Sequence, residues 1–496
     1  MWQILFLIVI LWGFHNFYWK RRNYPSGPPP LPLIGNLLSL KGNNGEKAMY
    51  EWKKKYGDFF TVWFGENPVV LIGDAATMYE TFVKDGEAYA GRPKMSHSFN
   101  GERNLGIAGI DGPLWREQRR FALQILRNFG LGRNLMQERV LHEVVEMIDH
   151  VKEEIKIGIE KVDMMAILDI CVGSIINSLT FGHSFDKKNT ESFYKLKVLA
   201  GQVIENFLDP LWKICLWNPN VMKYIPPFDK VYKRVEKTET SLNEIFNEKI
   251  KNHKKKIDFE ADEDSRDFAE AFLRHQYKLN KDGVKDHNYS DKQLVDSALS
   301  LWIAGQETTS SSLAWLVLFM MEHQDIQKKA QEELDKHVGS DRLVTLDDKI
   351  NLNYVNAIVA ETLRFSNLSS VNVFHRTTKE VKIHGYTFPE NTMITYQIPF
   401  VLNDSRYFSD EKSFKPERFL DKEGKFFWPQ ELMVFGLGKR ACLGEGLAKL
   451  ELYLFAANIL NQFKLNHPKD KKAELTRIID LVTHPIPYKT FVENRY

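Results

Sequence analysis

Along most of the chain, apolar residues recur at spacings of three and four, which is the period of an amphipathic helix. This pattern runs from about Trp115 to Ile257. A second stretch, Ser290–Gln324, is apolar nearly all round, which is typical of a buried helix. Gly305, Gln306 and Glu307 interrupt it, so it is not expected to cross a membrane. The pattern therefore predicts a large helical body with one central buried helix.

Only short stretches have the alternation of β-strands. Phe59–Gly65 and Pro68–Gly73 are β-rich runs bounded by glycine, and they predict a hairpin. Glu380–Ile398 also alternates, with turns at His384–Gly385 and Pro389–Asn391. These segments are too few and too scattered for a doubly wound sheet. We therefore expect a mainly α fold, a single large α-dominated domain with small β-sheets.

The N-terminal stretch differs from the rest of the chain. Trp2–Trp19 is mostly apolar, with His15 and Asn16 among its few polar residues, and a spanning helix needs about 20 apolar residues. The basic run 20–22 follows at once and, by the positive-inside rule, places the body of the chain in the cytosol. A cleaved signal peptide is the alternative. It is less favoured, because no basic region precedes the apolar run and no small-x-small site follows it.

These features divide the chain into three parts. Residues 1–22 are the expected membrane anchor with its basic flank, 23–36 a proline-rich strut, and 37–496 the single large domain. Proline fixes φ, so the middle part is expected to be semi-rigid, although a plain linker or a ligand for a proline-binding module is also open. The charge-dense run Lys251–Asp267 predicts a solvated loop.

Composition excludes some classes of function. The 67 basic and 65 acidic residues give a net charge of +2, which does not favour a nucleic-acid partner. Three cysteines, at Cys171, Cys215 and Cys442, cannot build a disulfide framework. They indicate a reduced protein that faces the cytosol.

Cys442 lies in an unusual setting, "FGLGKRACLGEG" at 435–446. No cysteine or histidine lies near enough for a zinc site, and no C-x-x-C is present. A catalytic thiol with a distant histidine stays open, as does a thiolate bound to haem iron. For the latter, the glycines would admit a tight loop against a porphyrin and free backbone N–H groups for the sulfur. Arg440 is in reach of a propionate, and a helix beginning at about Leu443 would favour the anion.

The spacing F-x-x-G-x-R-x-C-x-G resembles the haem-binding signature of the cytochromes P-450. Its positions here are Phe435, Gly438, Arg440, Cys442 and Gly444. "AGQETT" at 304–309, "ETLR" at 361–364 and "FKPERF" at 414–419 resemble further family elements and follow in the family's order. With "WREQRR", the anchor and the strut, the chain is most similar to the microsomal animal branch.

The resemblance implies a haem b cofactor with the thiolate of Cys442 as axial ligand of the iron. It also implies propionate partners at Trp115, Arg119 and Arg440, with Arg92 and His375 as further ones. Arg376 is adjacent to His375 and competes for that role. Trp115 and Arg119 are four residues apart, so they share a helical face.

Two other groups acquire roles from the resemblance. Glu361 and Arg364 share a helical face, and Arg418 is expected to join them in a structural cluster that retains the haem. Glu307 and Thr308 are expected to deliver protons during activation of dioxygen. Ala304 and Gly305 are small enough for substrate to lie against the backbone, and Thr309 and Ser310 are expected to bond back to helix carbonyls.

The segment after Arg364 lacks the proline often found there in the family, so its shape cannot be transferred. It is expected to line a lipophilic pocket together with other apolar positions. The pocket candidates are Phe99, Ile107, Ile110, Ala298, Leu301, Trp302, Ser370, Val371, Val373 and Val482, with ordinary core packing as the alternative for each.

Taken as a member of that branch, the protein is expected to be a monooxygenase of the endoplasmic reticulum membrane that faces the cytosol. It would oxidise a fatty acid, steroid or xenobiotic with electrons from an NADPH-cytochrome reductase, with a cytochrome b-type donor as a second source. Arg120, Arg127 and Lys439 are candidates for the basic face that meets the reductase. A haem-thiolate isomerase or dehydratase acting on peroxides, and a haem sensor without turnover, are the alternatives.

Overall fold

The computed structural model describes residues 2–40, 43–93, 106–129, 134–185, 190–215, 219–370, 372–479 and 481–496. Helices dominate, as the spacing pattern predicts. They are α1 (Trp2–Phe17), α2 (Asn43–Tyr56), α3 (Ala75–Met78), α4 (Gly112–Asn128), α5 (Asn134–Lys156), α6 (Met164–Phe181), α7 (Thr190–Leu208), α8 (Pro210–Cys215), α9 (Pro219–Met222), α10 (Phe228–Lys254), α11 (Phe268–Lys281), α12 (Asp291–Glu322), α13 (Gln324–His337), α14 (Asn353–Ser366), α15 (Ile398–Leu402) and α16 (Glu445–Gln462). Shorter helical turns are 3₁₀ at Trp19–Arg21, Leu37–Leu40, Leu346–Ile350, Pro416–Phe419 and Gly438–Arg440, and π-helical at Tyr79–Lys84.

Within the described ranges, the strands form four small sheets. They are β1 (Phe59–Phe64), β2 (Asn67–Ile72), β3 (His375–Arg376), β4 (Val381–Ile383), β5 (Tyr386–Phe388), β6 (Met393–Tyr396), β7 (Phe463–Asn466), β8 (Arg477–Ile478), β9 (His484–Pro485) and β10 (Phe491–Asn494). The largest sheet has the order β1-β2-β6-β3, with β2 parallel to β6 and the other pairs antiparallel. The predicted hairpin is β1–β2, and the mainly α fold with small sheets is confirmed.

Helix α12 lies at the centre of the main core. Its residues Leu313–Met321 are all buried, in a cluster shared with α5, α6, α14 and α16. Its closest neighbour is α6, because a Cβ built on Gly305 would lie 2.8 Å from Ile176 Cδ1. Gln306 is also fully buried there, and its side-chain Nε2 donates to the backbone carbonyl of Asp169 at 3.0 Å. The polar residues that interrupt the apolar stretch therefore join α12 to α6.

The proline-rich segment does not stand free of the domain. Ser26 accepts a hydrogen bond from Thr61 N at 3.3 Å, and a Cβ on Gly27 would lie 1.9 Å from Thr61 O. Lys20, in the basic flank, pairs with Glu66 at 2.7 Å. The segment expected to be a strut therefore runs against β1, and its glycine makes that close approach possible.

Among the described residues, one helix is long and apolar enough to cross a bilayer, and it is α6. Of its residues 72% are buried inside the protein, so it is typical of a core helix. Helix α1 has 16 residues, or about 24 Å at 1.5 Å per residue, which is less than the hydrocarbon thickness of about 30 Å. The basic turn at Trp19–Arg21 extends it.

Candidate functional site

The loop before α16 carries Cys442 and is held by its backbone. Cys442 N donates to Phe435 O at 2.7 Å, which closes the loop across the turn at Gly438–Arg440. Gly438 has a φ of +68°, and a Cβ there would lie 1.7 Å from Phe82 O. A side chain at 438 is therefore excluded, because the loop rests directly on the helical segment Tyr79–Lys84.

The Cys442 side chain is exposed, whereas Cys171 and Cys215 are buried. Desolvation by the surrounding protein raises the pKa of the Cys442 thiol, and the Gly444 N–H and the charge of Arg119 act in the opposite direction. Helix α16 begins at Glu445, so its N-terminus lies beside the sulfur. The loop therefore presents a thiol to open space and supplies two groups that stabilise its anion. A cation bound to the sulfur would complete the deprotonation.

Positive side chains converge beside this loop. Arg440 donates from Nε to Ala90 O and from Nη2 to Ile110 O, both at 2.8 Å, and its guanidinium lies 3.7 Å over the Trp115 ring. Arg119 donates to Ala441 O at 2.6 Å. Helix α4 carries both Trp115 and Arg119, so the shared face predicted from their spacing faces the cysteine loop.

Arg92 and His375 lie in the same cluster. Arg92 donates to Phe374 O at 2.8 Å, and His375 Nδ1 contacts Tyr89 O at 2.8 Å. Burial, followed by repulsion from neighbouring arginines, lowers the pKa of Arg440 to about 8. Burial and the charge of Arg92 likewise lower the pKa of His375 to about 3. The cluster has more buried positive charge than it can balance, which fits a group that brings carboxylates.

Arg376 is adjacent to this cluster, but its guanidinium is bound to protein acceptors. Its Nη2 pairs with Asp111 Oδ2 at 2.5 Å and its Nη1 donates to Asn391 Oδ1 at 2.9 Å. Its Nε donates to Arg92 O at 2.8 Å. Since protein acceptors occupy this guanidinium, the geometry favours His375 over Arg376 as a partner of an added carboxylate.

A second charged cluster consists of Glu361 and Arg364, which are completely buried, and Arg418, which is mostly buried. Arg364 binds Glu361 through two bonds, Nε to Oε2 at 2.6 Å and Nη2 to Oε1 at 2.8 Å. Arg418 reaches Glu361 Oε1 at 3.1 Å and donates to Ser409 O at 2.5 Å. The three residues expected to meet are therefore in contact, and they tie α14 to the segment 409–418.

Small residues form a stripe on α12 that repeats every four residues, at positions 300, 304, 308 and 312. Ala304 is exposed although it belongs to a largely buried helix, and Thr308 Oγ1 donates to Ala304 O at 2.7 Å. Two serines make the same bond to the carbonyl four residues earlier. Ser300 donates to Asp296 O at 2.7 Å, and Ser312 donates to Thr308 O at 2.8 Å. Back-bonding was expected of Thr309 and Ser310. Among the described residues of α12, the hydroxyls that make it belong to the stripe instead.

Glu307 is beside this stripe and lacks a hydrogen bond at one oxygen. Its Oε1 is buried with no partner within the described part of the chain. Desolvation raises the pKa of its carboxyl, and the Lys197 charge counteracts the shift. Gly305 leaves room for Ile176 of α6, and its expected contact with substrate stays a prediction.

The candidate pocket residues separate into two groups. Ala298 and Trp302 are completely buried, so core packing accounts for them, and Ile107 and Ile110 are nearly so. Val373 is 47% exposed, and Leu301, Ser370 and Val482 are half-buried. Phe99 and Val371 lie outside the described residues.

Comparison with known proteins agrees with this geometry. The family profile described as "Cytochrome P450" matches residues 25–492. The chain belongs to the cytochrome P450 family. "Cytochrome P450 2J5" of Mus musculus is 32% identical over 488 residues, covering 98% of this chain and 93% of that protein. "Cytochrome P450 2C8" of Homo sapiens is 33% identical over 454 residues, covering 91% and 90%.

Membership in the cytochrome P450 family establishes the reaction class and the cofactor. The protein is a haem-thiolate monooxygenase, and its relatives are microsomal animal members. The cofactor is haem with a cysteine thiolate as axial ligand. Among the three cysteines, Cys442 is the exposed one, which agrees with that assignment.

Two residues of the site have no signal in the sequence pattern. Asp111 holds Arg376, which is 265 positions away along the chain, and Tyr396 accepts a hydrogen bond from Leu437 N at 2.9 Å. Neither residue belongs to a motif, and only the packing of β6 and α4 against the loop brings them to the site. An alignment of related sequences is the signal that would identify these two residues as partners of the loop.

Proposed function

We propose that the protein inserts one oxygen atom of O₂ into a lipophilic small molecule, a fatty acid, a steroid or a xenobiotic. NADPH supplies two electrons through a flavoprotein reductase. The substrate, O₂, NADPH and one proton give the hydroxylated product, water and NADP⁺. The observation that carries the proposal is the exposed Cys442 thiol beside buried arginines, with the small, exposed Ala304 on α12.

In the proposed arrangement, the Cys442 loop and the Ala304–Thr308 stripe of α12 would hold the haem between them. Gly444 leaves open space where a Cβ would point, which accommodates a flat group. The propionates would be held by Arg440, Arg119, Trp115, Arg92 and His375. The propionate carboxylates would offset the burial and the repulsion that lower the pKa values of Arg440 and His375. The haem supplies oxygen activation, with the thiolate raising its electron density.

Phe435, Gly438 and Gly444 would support this site rather than react. Phe435 O holds the Cys442 backbone, and its ring stacks on Trp428 at 6.2 Å between centroids. Gly438 permits the loop's approach to Phe82, and the Gly444 N–H stabilises the thiolate. Glu361, Arg364 and Arg418 would keep the loop in place from behind.

Glu307 and Thr308 are the proposed proton-delivery pair. A carboxyl whose pKa is raised by burial holds a proton more readily near neutral pH than an exposed one. Thr308 lies one residue further along the helix, on the stripe that includes exposed Ala304. An isomerase that rearranges peroxides needs no such donor, and a sensor needs no turnover, so this pair favours the monooxygenase.

The proposed reductase surface is the exposed face of α4. Arg120 and Arg127 are exposed on this helix. Arg119, next to Arg120, donates a hydrogen bond to the cysteine loop. Lys439, also exposed, lies 3.8 Å from Glu87. An acidic partner bound here would approach the thiolate side of the haem, which shortens the path of the electron.

The test is reconstitution with NADPH-cytochrome reductase, isotope-labelled O₂ and a panel of fatty acids, steroids and xenobiotics. We expect a product that carries one labelled oxygen atom and requires both NADPH and reductase. Arg120→Glu should slow haem reduction by the reductase on the order of tenfold at low salt. Reduction by dithionite should be unchanged in that variant. Product formation from a peroxide without O₂ or NADPH would support the isomerase instead.

The proposed location is the endoplasmic reticulum membrane, with α1 as a single anchor and the domain in the cytosol. Relatives of this branch are microsomal, and α1 exposes large apolar side chains such as Trp2, Phe6 and Leu11. The segment 20–22 carries the basic residues of the cytosolic side.

Glycosylation tests this orientation. The acceptor motifs at Asn288, Asn367 and Asn403 should stay unmodified in cells, because a cytosolic domain does not meet the glycosylation machinery. Asn367 is buried, so its lack of glycan says little, and Asn288 is the informative position. A glycan found there by mass spectrometry would place the domain in the lumen.

A further inference from the structure

Tyr396 connects the cysteine loop to strand β6. Its side chain is 2% exposed, and its ring packs edge-on against Phe82, with centroids 4.6 Å apart. The His375 ring lies 5.7 Å away on another side. Leu437 N donates to the Tyr396 hydroxyl at 2.9 Å. A buried phenol therefore touches both the loop that ends in Cys442 and the cluster of proposed propionate partners.

The Tyr396 hydroxyl fits against the loop because residue 436 is a glycine. Gly436 has a φ of +79°, which disfavours other residues, and a Cβ there would lie 2.8 Å from Tyr396 Oη. A side chain at 436 would displace the hydroxyl. The glycine and the tyrosine are therefore complementary, and together they place an O–H group at the edge of the loop.

Buried donors converge at this hydroxyl. Because Leu437 uses the oxygen as an acceptor, the phenol proton remains to be donated to a second group. Asn372 lies beside the phenol, and its Nδ2 is buried without a hydrogen-bond partner among the residues that the structure describes. Burial raises the pKa of Tyr396, whereas the Leu437 N–H, the nearby Asn372 amide and the charge of Arg92 act against that shift.

Such a set of donors points to an acceptor that the described residues do not provide. Buried N–H and O–H groups are nearly always paired, and leaving one unpaired is costly. The neighbouring cations Arg92 and Arg440 favour an anion as the acceptor. A carboxylate has two oxygens and about four acceptor positions, so one group can satisfy several of these donors.

We propose that the Tyr396 hydroxyl and the Asn372 amide donate hydrogen bonds to a haem propionate, next to Arg92. This inference rests on the proposed haem position between Cys442 and α12. The same hydroxyl accepts the Leu437 N–H, so Tyr396 joins the propionate site to the thiolate loop. It is a cofactor-binding residue, not a catalytic one.

The test compares Tyr396→Phe with the wild-type holoenzyme. Transfer of haem to an excess of an apo-globin should be about tenfold faster in the variant, the size expected when a hydrogen bond to a charged group is lost. The propionate-bending bands in the resonance Raman spectrum should shift. Asn372→Leu should change both measurements in the same direction. Tyr386→Phe is the matched control, since Tyr386 is half-buried in the β4–β5 hairpin and stacks on Phe388.

The absorption spectrum of the reduced, carbon-monoxide-bound protein distinguishes the other possible outcomes. Tyr396→Phe should keep the reduced, carbon-monoxide band at about 450 nm, because Cys442 is untouched. A displaced band with unchanged propionate modes would show that Tyr396 only supports the cysteine loop, and would overturn the inference. Unchanged haem transfer and Raman bands would do the same. A wild type without the band would refute the proposed haem position itself.

Discussion

Replacing Cys442 with alanine will abolish the absorption at about 450 nm of the reduced, carbon-monoxide-bound protein. That band depends on a thiolate opposite the carbon monoxide, and an alanine side chain offers no ligand to iron. The loop itself should survive the change, because Cys442 is held through its backbone N–H to Phe435 O at 2.7 Å. Substrate oxidation should disappear with the band. Difference spectroscopy on purified protein is the measurement.

Cys215→Ala is the control for this experiment. Cys215 is completely buried against α10, so its sulfur is not accessible to a haem, and burial also raises the pKa of its thiol to about 11. This variant should keep the 450 nm band at full intensity per haem. If Cys442→Ala kept the band, Cys442 would not be the axial ligand.

Thr308→Ala should uncouple electron use from product formation. The hydroxyl of Thr308 lies on the exposed stripe of α12 beside Glu307, whose carboxyl has a raised pKa. General acid assistance is typically worth about 10²–10⁴-fold, so product per NADPH should fall sharply while NADPH is still consumed. Hydrogen peroxide should rise in proportion to the product lost. Product, peroxide and NADPH are to be measured in one assay.

Ser312→Ala is a matched control, because Ser312 makes the same hydrogen bond to a carbonyl one turn back, at 2.8 Å. The structure shows that Thr308 also makes such a bond, so a purely helical role is the alternative to proton delivery. If that alternative holds, both variants should lose a similar, small amount of stability and stay coupled. Normal coupling in Thr308→Ala would remove this residue from the proposed mechanism.

The helical body and the central helix were predictable because burial leaves a period in the sequence. Ser290–Gln324 was expected to be one buried helix, and α12 runs from Asp291 to Glu322. The hairpin at 59–73 was equally clear from its β-rich runs and bounding glycines. The Cys442 loop was identifiable because its glycines, arginine and cysteine are close in sequence, and such a motif is a local property of the chain.

Contacts between distant parts of the chain were harder to predict from the sequence. Glu361 and Arg364 were expected to pair from their spacing, whereas contact with Arg418 was implied only by the family resemblance. The choice between His375 and Arg376 stayed open in the sequence. Asp111 holds Arg376 from 265 positions away, and no local pattern contains that information.

The sequence by itself determined the family, the cofactor and the helical architecture, because these depend on spacings within a few residues of each other. Only the tertiary structure decided that Gly305 makes room for Ile176 of α6, and that Tyr396 reaches Leu437. It also decided that the proline-rich segment lies against β1. The physical reason is that a side chain's partner is set by how elements pack, and packing joins residues that the sequence separates.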